Sequence, residues 1–152
     1  MGLQELFREE LLRRQPLLSA SLRPTGAPLL LHTHPAATEA NAPVRVWIDG
    51  DAEITVGIGE YFHTHFDDSS LPASSQPKSP SQIAVEAASF VDAYLRDRII
   101  VWVDHANQRG GSAGAFPSDS PDSSLPATAQ QFTWSGPAQT EPESSGRIGR
   151  DA

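Results

Sequence analysis

The sequence contains no cysteine. Disulfides, zinc-thiolate sites and thiol nucleophiles are thereby excluded, and the fold must hold without covalent staples. Long apolar runs are missing too; none approaches the roughly 20 residues that a bilayer-spanning helix needs. The first apolar residues are interrupted by Glu5, Arg8, Glu9 and Glu10, so no secretory leader is expected. Leu6 stands where an N-myristoylation signal wants Ser or Thr. These absences predict a soluble, cytoplasmic protein. Basic side chains are scarce as well, 11 against 19 acids, giving a formal charge of −8. A surface of that sign repels phosphate backbones, so neither nucleic acid nor membrane is an expected partner. A basic protein or a cationic ligand is the natural complement.

Proline and glycine are plentiful, 13 and 11, and fall mostly outside the periodic segments. Their placement predicts one small α+β domain over residues 1–116, a Ser/Pro-rich linker over 117–128 and an edge strand within 129–135. Residues 136–152 have the composition of a disordered tail. A core of that size leaves no room for an elaborate, deeply buried active site.

The clearest pattern is over residues 44–66. Val44, Val46 and Ile48 alternate with Arg45, Trp47 and Asp49; Ile54, Val56 and Ile58 alternate with Glu53, Thr55 and Gly57. Directly opposed residues of an antiparallel pair share a face, so even positions must pair with even ones. A two-residue loop would set Ile48 against Glu53. A three-residue loop, Gly50-Asp51-Ala52, sets Ile48 on Ile54, Val46 on Val56 and Val44 on Ile58, and is expected with a bulge. Burying those six side chains contributes on the order of 10 kcal/mol before the entropy of ordering them is subtracted. If the alternation survives Gly57 and Gly59, Phe62 and Phe66 join the core face while Tyr61, His63 and His65 look outward.

Ser79-Pro80-Ser81-Gln82 is a capping box with Pro at the first helical position, which predicts a main helix over 80–97. Ile83, Ala87, Phe90, Val91, Tyr94 and Leu95 form its apolar stripe, expected to cover the Val/Ile face of the hairpin. Residues 3–14 predict a shorter helix, closed by Pro16, that docks on the sheet. Residues 17–23 and 29–34 are expected to pair as a hairpin around Pro24 and Pro28. The apolar run 99–104 predicts an interior strand, and Gly110 and Gly111 within 108–112 a turn or flexible loop. Together these give a small antiparallel-rich sheet packed by one main helix and a short N-terminal one.

Two constellations could carry function. His32/His34 and His63/His65 are His-x-His pairs, and on a strand such pairs project from one face, as two imidazoles on one metal require. Brought together, the pairs would offer four nitrogens to zinc or another divalent metal, the only cofactor the sequence suggests. Elsewhere, Glu39, Asp49, Asp51, Glu53, Glu60, Asp67 and Asp68 surround Trp47 and Tyr61 with Arg45 the sole lysine or arginine among them. Acids around exposed aromatics suit a protein-binding face: aromatics anchor and charges steer a basic partner. The expected partner-binding residues are Trp47, Asp49, Asp51, Glu53, Glu60 and Tyr61, with no catalytic residue assigned. Gly110-Gly111-Ser112-Ala113-Gly114 matches a nucleophile elbow in letters only, because no helix can start in the Phe-Pro-Ser-Asp that follows.

Family patterns were weighed on their residues. His32-Thr33-His34-Pro35 looks like the ligand pair of JAMM metalloproteases, but the Ser-x-x-Asp those enzymes need is replaced by residues 42–45, Ala-Pro-Val-Arg. Gly57, His63 and His65 look like the start of a cupin motif without its glutamate. The hairpin, the His-Thr-His-Phe of residues 63–66, the main helix, the strand 98–104 and the Thr-Trp-Ser-Gly of residues 133–136 together resemble small bacterial domains, some of them immunity proteins of toxin–immunity loci. That resemblance, over about residues 44–135, implies a non-catalytic cytoplasmic binder that blocks a toxin by surface complementarity.

Overall fold

The computed structural model describes residues 1–24, 29–33, 43–59, 62–68, 76–114, 130–134 and 136–137. The chain is α+β, with two α-helices and two antiparallel sheets among the described residues. The first sheet has the order β1-β2-β3-β4, built from Leu29–Thr33, Val44–Asp49, Glu53–Ile58 and Phe62–Phe66. The second has the order β6-β5-β7-β8, built from Ile99–Asp104 (β5), Arg109–Gly114 (β6), Gln130–Thr133 (β7) and Gly136–Pro137 (β8). The strands are thus divided between two sheets where one was expected, with β6 lying beside β4.

The central hairpin has the register that parity demands: Val44↔Ile58, Val46↔Val56 and Ile48↔Ile54, joined by residues 50–52. The expected bulge is absent from this ladder, which runs unbroken to Asp49↔Glu53. Gly50 at φ +66° absorbs the reversal instead, in the left-handed region that glycine enters without a Cβ penalty. Val44, Val46, Ile54, Val56 and Ile58 are buried in one core with Ile83, Ala84, Ala87, Ala88, Val91 and Tyr94 of α2 (Pro80–Leu95). Phe62 and Phe66 keep the core parity and meet Phe90, with ring centroids 6.3 and 5.6 Å apart.

Helix α2 starts as its capping box dictates. Ser79 Oγ accepts from the Gln82 amide at 3.2 Å, and Gln82 Oε1 accepts from the Ser79 amide at 2.8 Å. It ends at Leu95, two residues before the expected stop. Asp97 adopts φ +59°, its N–H bonds Tyr94 O at 3.0 Å, and the Arg98 N–H bonds Ala93 O at 2.8 Å. That is a Schellman closure with aspartate in the position glycine normally fills.

Helix α1 (Leu3–Arg14) has the expected bounds, but packs chiefly on α2 rather than on the sheet. Its Leu3, Phe7 and Leu11 enter the same core. A polar joint at the helix ends fixes the pair. Gln15 Nε2 donates to Asp92 Oδ1 at 2.7 Å, Arg96 Nε donates to the same oxygen at 2.9 Å, and Arg14 stands 3.9 Å from Oδ2.

Three local expectations are corrected. Residues 16–20 form a 3-10 helix rather than a strand, because Pro16 prolongs the turn after α1; among the described residues the pairing is reduced to a bridge of Leu22 with Leu31 and the Arg23 N–H bond to Leu30 O. Residues 109–114 form β6 rather than a loop, since pairing with the apolar β5 supplies what Gly110 and Gly111 lack in strand preference. Gly136 and Pro137, assigned to the tail, pair with β7 as β8. The linker 117–128 and residues 138–152 lie outside the described residues. Among the described residues no helix is long and apolar enough to cross a membrane.

Candidate functional site

The outer face of the first sheet follows from the same parity that fills the core. With Val44, Val46, Ile54, Val56 and Ile58 inward, Arg45, Trp47, Glu53, Thr55 and Gly57 point away from α2. A bulge between Leu29 and Leu31 of β1 turns both Leu30 and Leu31 into the core. It also brings His32 opposite Arg45. His32, Arg45, Gly57 and His63 consequently stand in one row across the four strands, and Trp47, Thr55 and His65 in the next.

Trp47 is half-buried rather than projecting freely. Its indole leans diagonally across Gly57, where a Cβ would lie 2.8 Å from Cζ3. The Arg45 guanidinium sits 5.4 Å from the indole centroid and its Nη2 donates to Gly59 O at 2.7 Å. Arg45 Nε is buried with no hydrogen-bond partner among the described residues, so the stacking and the Nη2 bond hold this cation in place. Trp102 repeats the device in the second sheet over Gly111, with 2.7 Å between a would-be Cβ and its ring. Each indole covers backbone that a glycine would otherwise leave bare.

Beside Trp47 lies a polar cluster. Thr55 is buried on this face; its Oγ1 donates to Glu53 Oε1 at 3.2 Å and lies 3.1 Å from His65 Nδ1. His65 Nδ1 also meets Glu53 Oε1. An ionised carboxylate only accepts, so Nδ1 is a protonated nitrogen and Nε2 stands outside this contact. The His63 ring stands 5.1 Å from that of His65, at an interplanar angle of 87°. Towards the hairpin loop the face turns acidic, with Asp51 exposed and Glu53 a third exposed.

The structure therefore brings Trp47, Glu53, His63 and His65 onto one surface, with Asp51 at its hairpin end. Asp49 has its backbone in β2, but its side chain, like Glu60, Tyr61 and His34, lies outside the described residues. Of the first His-Thr-His segment, His32 stands apart from His63 and His65. His32 is on β1 and His63 and His65 on β4, the two edges of the sheet, three strand spacings or about 14 Å apart. Strand order thus separates His32 from His63 and His65, although the two segments look alike in sequence. Among the described residues no group of three or more His, Asp or Glu is placed to hold a metal. Hollows of about 340 and 220 Å³ lie beside α1 and between α1 and α2, and neither is lined by a residue of the sheets.

Sequence reasoning missed the Arg45–Trp47–Gly57 stack and the Glu53–Thr55–His65 cluster. The signal for the second was present, since the expected hairpin register already put Thr55 and Glu53 on the outward face. The partner strand β4 was the missing piece. No family model, curated protein or solved structure matches the chain.

Proposed function

We propose that this chain is a non-catalytic protein-binding module of immunity type, which offers the outer face of its first sheet to a basic partner. The observation that carries the reading is the one-sided cover of that sheet. The helices pack against one face, while the other holds a flat-lying indole, two exposed imidazoles and acids at the hairpin tip. Such a surface combines aromatic contact area of low conformational entropy with a charge gradient along the strands. Arg45 is tied to Trp47 and Gly59 at one end; Asp51 and Glu53 stand at the other. The acidic end steers and the aromatic middle anchors. The chain's charge of −8 adds long-range attraction for a cationic partner.

The test is a titration of fluorescently labelled oligoarginine, with oligoglutamate as control, against the wild-type chain and an Asp51→Lys/Glu53→Lys variant. The wild type is expected to bind oligoarginine alone, and charge reversal to weaken binding at least tenfold with the thermal midpoint preserved. Equal binding by both proteins, or none by the wild type, removes the electrostatic basis of the reading. For the immunity role, the product of the adjacent reading frame is expected to be a toxin that forms a stoichiometric complex with this chain. An adjacent product that is neither toxic nor bound refutes it.

A further inference from the structure

We propose that His63 and His65 form, by themselves, a surface site for one divalent transition-metal ion of the imidazole-preferring class, copper, nickel or zinc. The inference does not depend on the binding role above, because it rests on the geometry of β4 alone.

Three observations converge. First, the two imidazoles project from the same face of one strand, both exposed. Second, their separation matches chelation. With a metal–nitrogen distance of about 2.1 Å and about 1.1 Å more to the ring centre, two imidazoles at a tetrahedral angle have centroids about 5.2 Å apart. The observed distance is 5.1 Å. The rings thus stand close enough for one ion to bridge them once side-chain rotation turns a nitrogen of each toward it. Third, His65 is already held as a ligand would be. Its Nδ1 proton is taken by Glu53, which is itself bonded by the buried Thr55, and Nε2 is left as the donor atom. A carboxylate on the far nitrogen of a ligating imidazole fixes its tautomer and raises its basicity.

Two protein nitrogens leave the remaining coordination positions to water, so the site is open. Imidazole donors without thiolate or a set of carboxylates favour copper, nickel and zinc over magnesium or calcium. His32, three strands away, takes no part.

Isothermal titration of tag-free full-length protein with nickel or zinc chloride, in a non-coordinating buffer, tests the site. One equivalent is expected to bind, with affinity in the micromolar range. His63→Ala and His65→Ala should each reduce that affinity at least tenfold, and His32→Ala should leave it unchanged. Glu53→Ala, a change to a positioning residue, should weaken binding by roughly tenfold, the lower end of what loss of such a partner costs. In parallel, one equivalent of paramagnetic copper should broaden the His63 and His65 ring resonances before those of any other histidine. Absence of binding, or wild-type affinity in the two single His variants of β4, overturns the proposal. Unchanged affinity in Glu53→Ala overturns the orienting role assigned to that carboxylate. All three residues are at least a third exposed, so the variants are expected to fold, which far-UV circular dichroism checks.

Discussion

Replacing Gly57 by alanine tests whether the indole of Trp47 is built into the sheet or merely rests on it. The backbone raises no objection, since Gly57 has no positive φ. A methyl group there would stand 2.8 Å from Trp47 Cζ3 and 3.1 Å from Cη2, with Phe62 O at an ordinary 3.8 Å. Only the indole is in the way, and it must tilt outward. On the favourable side, removing a glycine from the unfolded ensemble stabilises by about 0.4–1 kcal/mol. Against that stand the loss of the stack with Arg45, about 0.5–1 kcal/mol, and re-exposure of part of a large aromatic surface, about 1–2 kcal/mol at 25 cal/mol/Å². The net is a destabilisation of about 1 kcal/mol. Urea unfolding followed by far-UV circular dichroism measures it. In a Trp47→Ala background the same substitution should be neutral or stabilising by about 0.5 kcal/mol, so the double-mutant cycle should give a coupling above about 1 kcal/mol. Nuclear magnetic resonance supplies an independent readout, because the Hα protons of Gly57 beneath an indole resonate upfield, whereas the single Hα of residue 57 in Gly57→Ala should have an ordinary shift. A Gly57→Ala protein as stable as the wild type, with its indole still over residue 57, would refute the argument.

Two further outcomes follow from the helix ends. Burial alone would raise the pKa of Asp92, but hydrogen bonds from Arg96 and Gln15 and the charges of Arg96 and Arg14 outweigh it and hold the carboxyl below its ordinary value. Its stabilising contribution is therefore fully present above the unfolded-state pKa and lost as pH falls through the folded one. Asp92→Asn should cost about 1–2 kcal/mol at neutral pH, and its denaturation curve should converge on that of the wild type in acid, below the ordinary aspartate range. At the other end of α2, Asp97→Gly should stabilise by about 0.5–1 kcal/mol, because Asp97 pays the left-handed penalty that glycine avoids; a lowered thermal midpoint would show that its side chain holds the turn.

The elements legible in the sequence are those fixed by a local count. Strand parity over 44–58 allows one loop length that pairs apolar with apolar, and the structure has that register. Ser79, Pro80 and Gln82 mark the start of α2 because capping satisfies its first amides within three residues. Failures occur where distant segments decide. Arg109, Gly110 and Gly111 look like a turn until β5 is beside them, and Leu18 and Leu22 suit either a strand or a tightened helical turn after Pro16. For the site, periodicity placed Trp47, Glu53, His63 and His65 outward. It held no information on which strands form the edges of the sheet, so it could not show that His32 lies apart from His63 and His65. Nor could it show that Trp47 leans on a glycine ten positions away.

Helix α2 lies late in the chain, yet the apolar side of the first hairpin depends on it. On a ribosome the strands up to Phe66 leave the exit tunnel roughly thirty residues of synthesis before Leu95 does. At about 5–20 residues per second that interval lasts roughly 1.5 to 6 seconds. Throughout it the nascent hairpin shows its valines and isoleucines to the solvent with only α1 to shelter them. Holdase chaperones are expected to engage the chain in that window, and release should coincide with emergence of the segment beginning at Ser79.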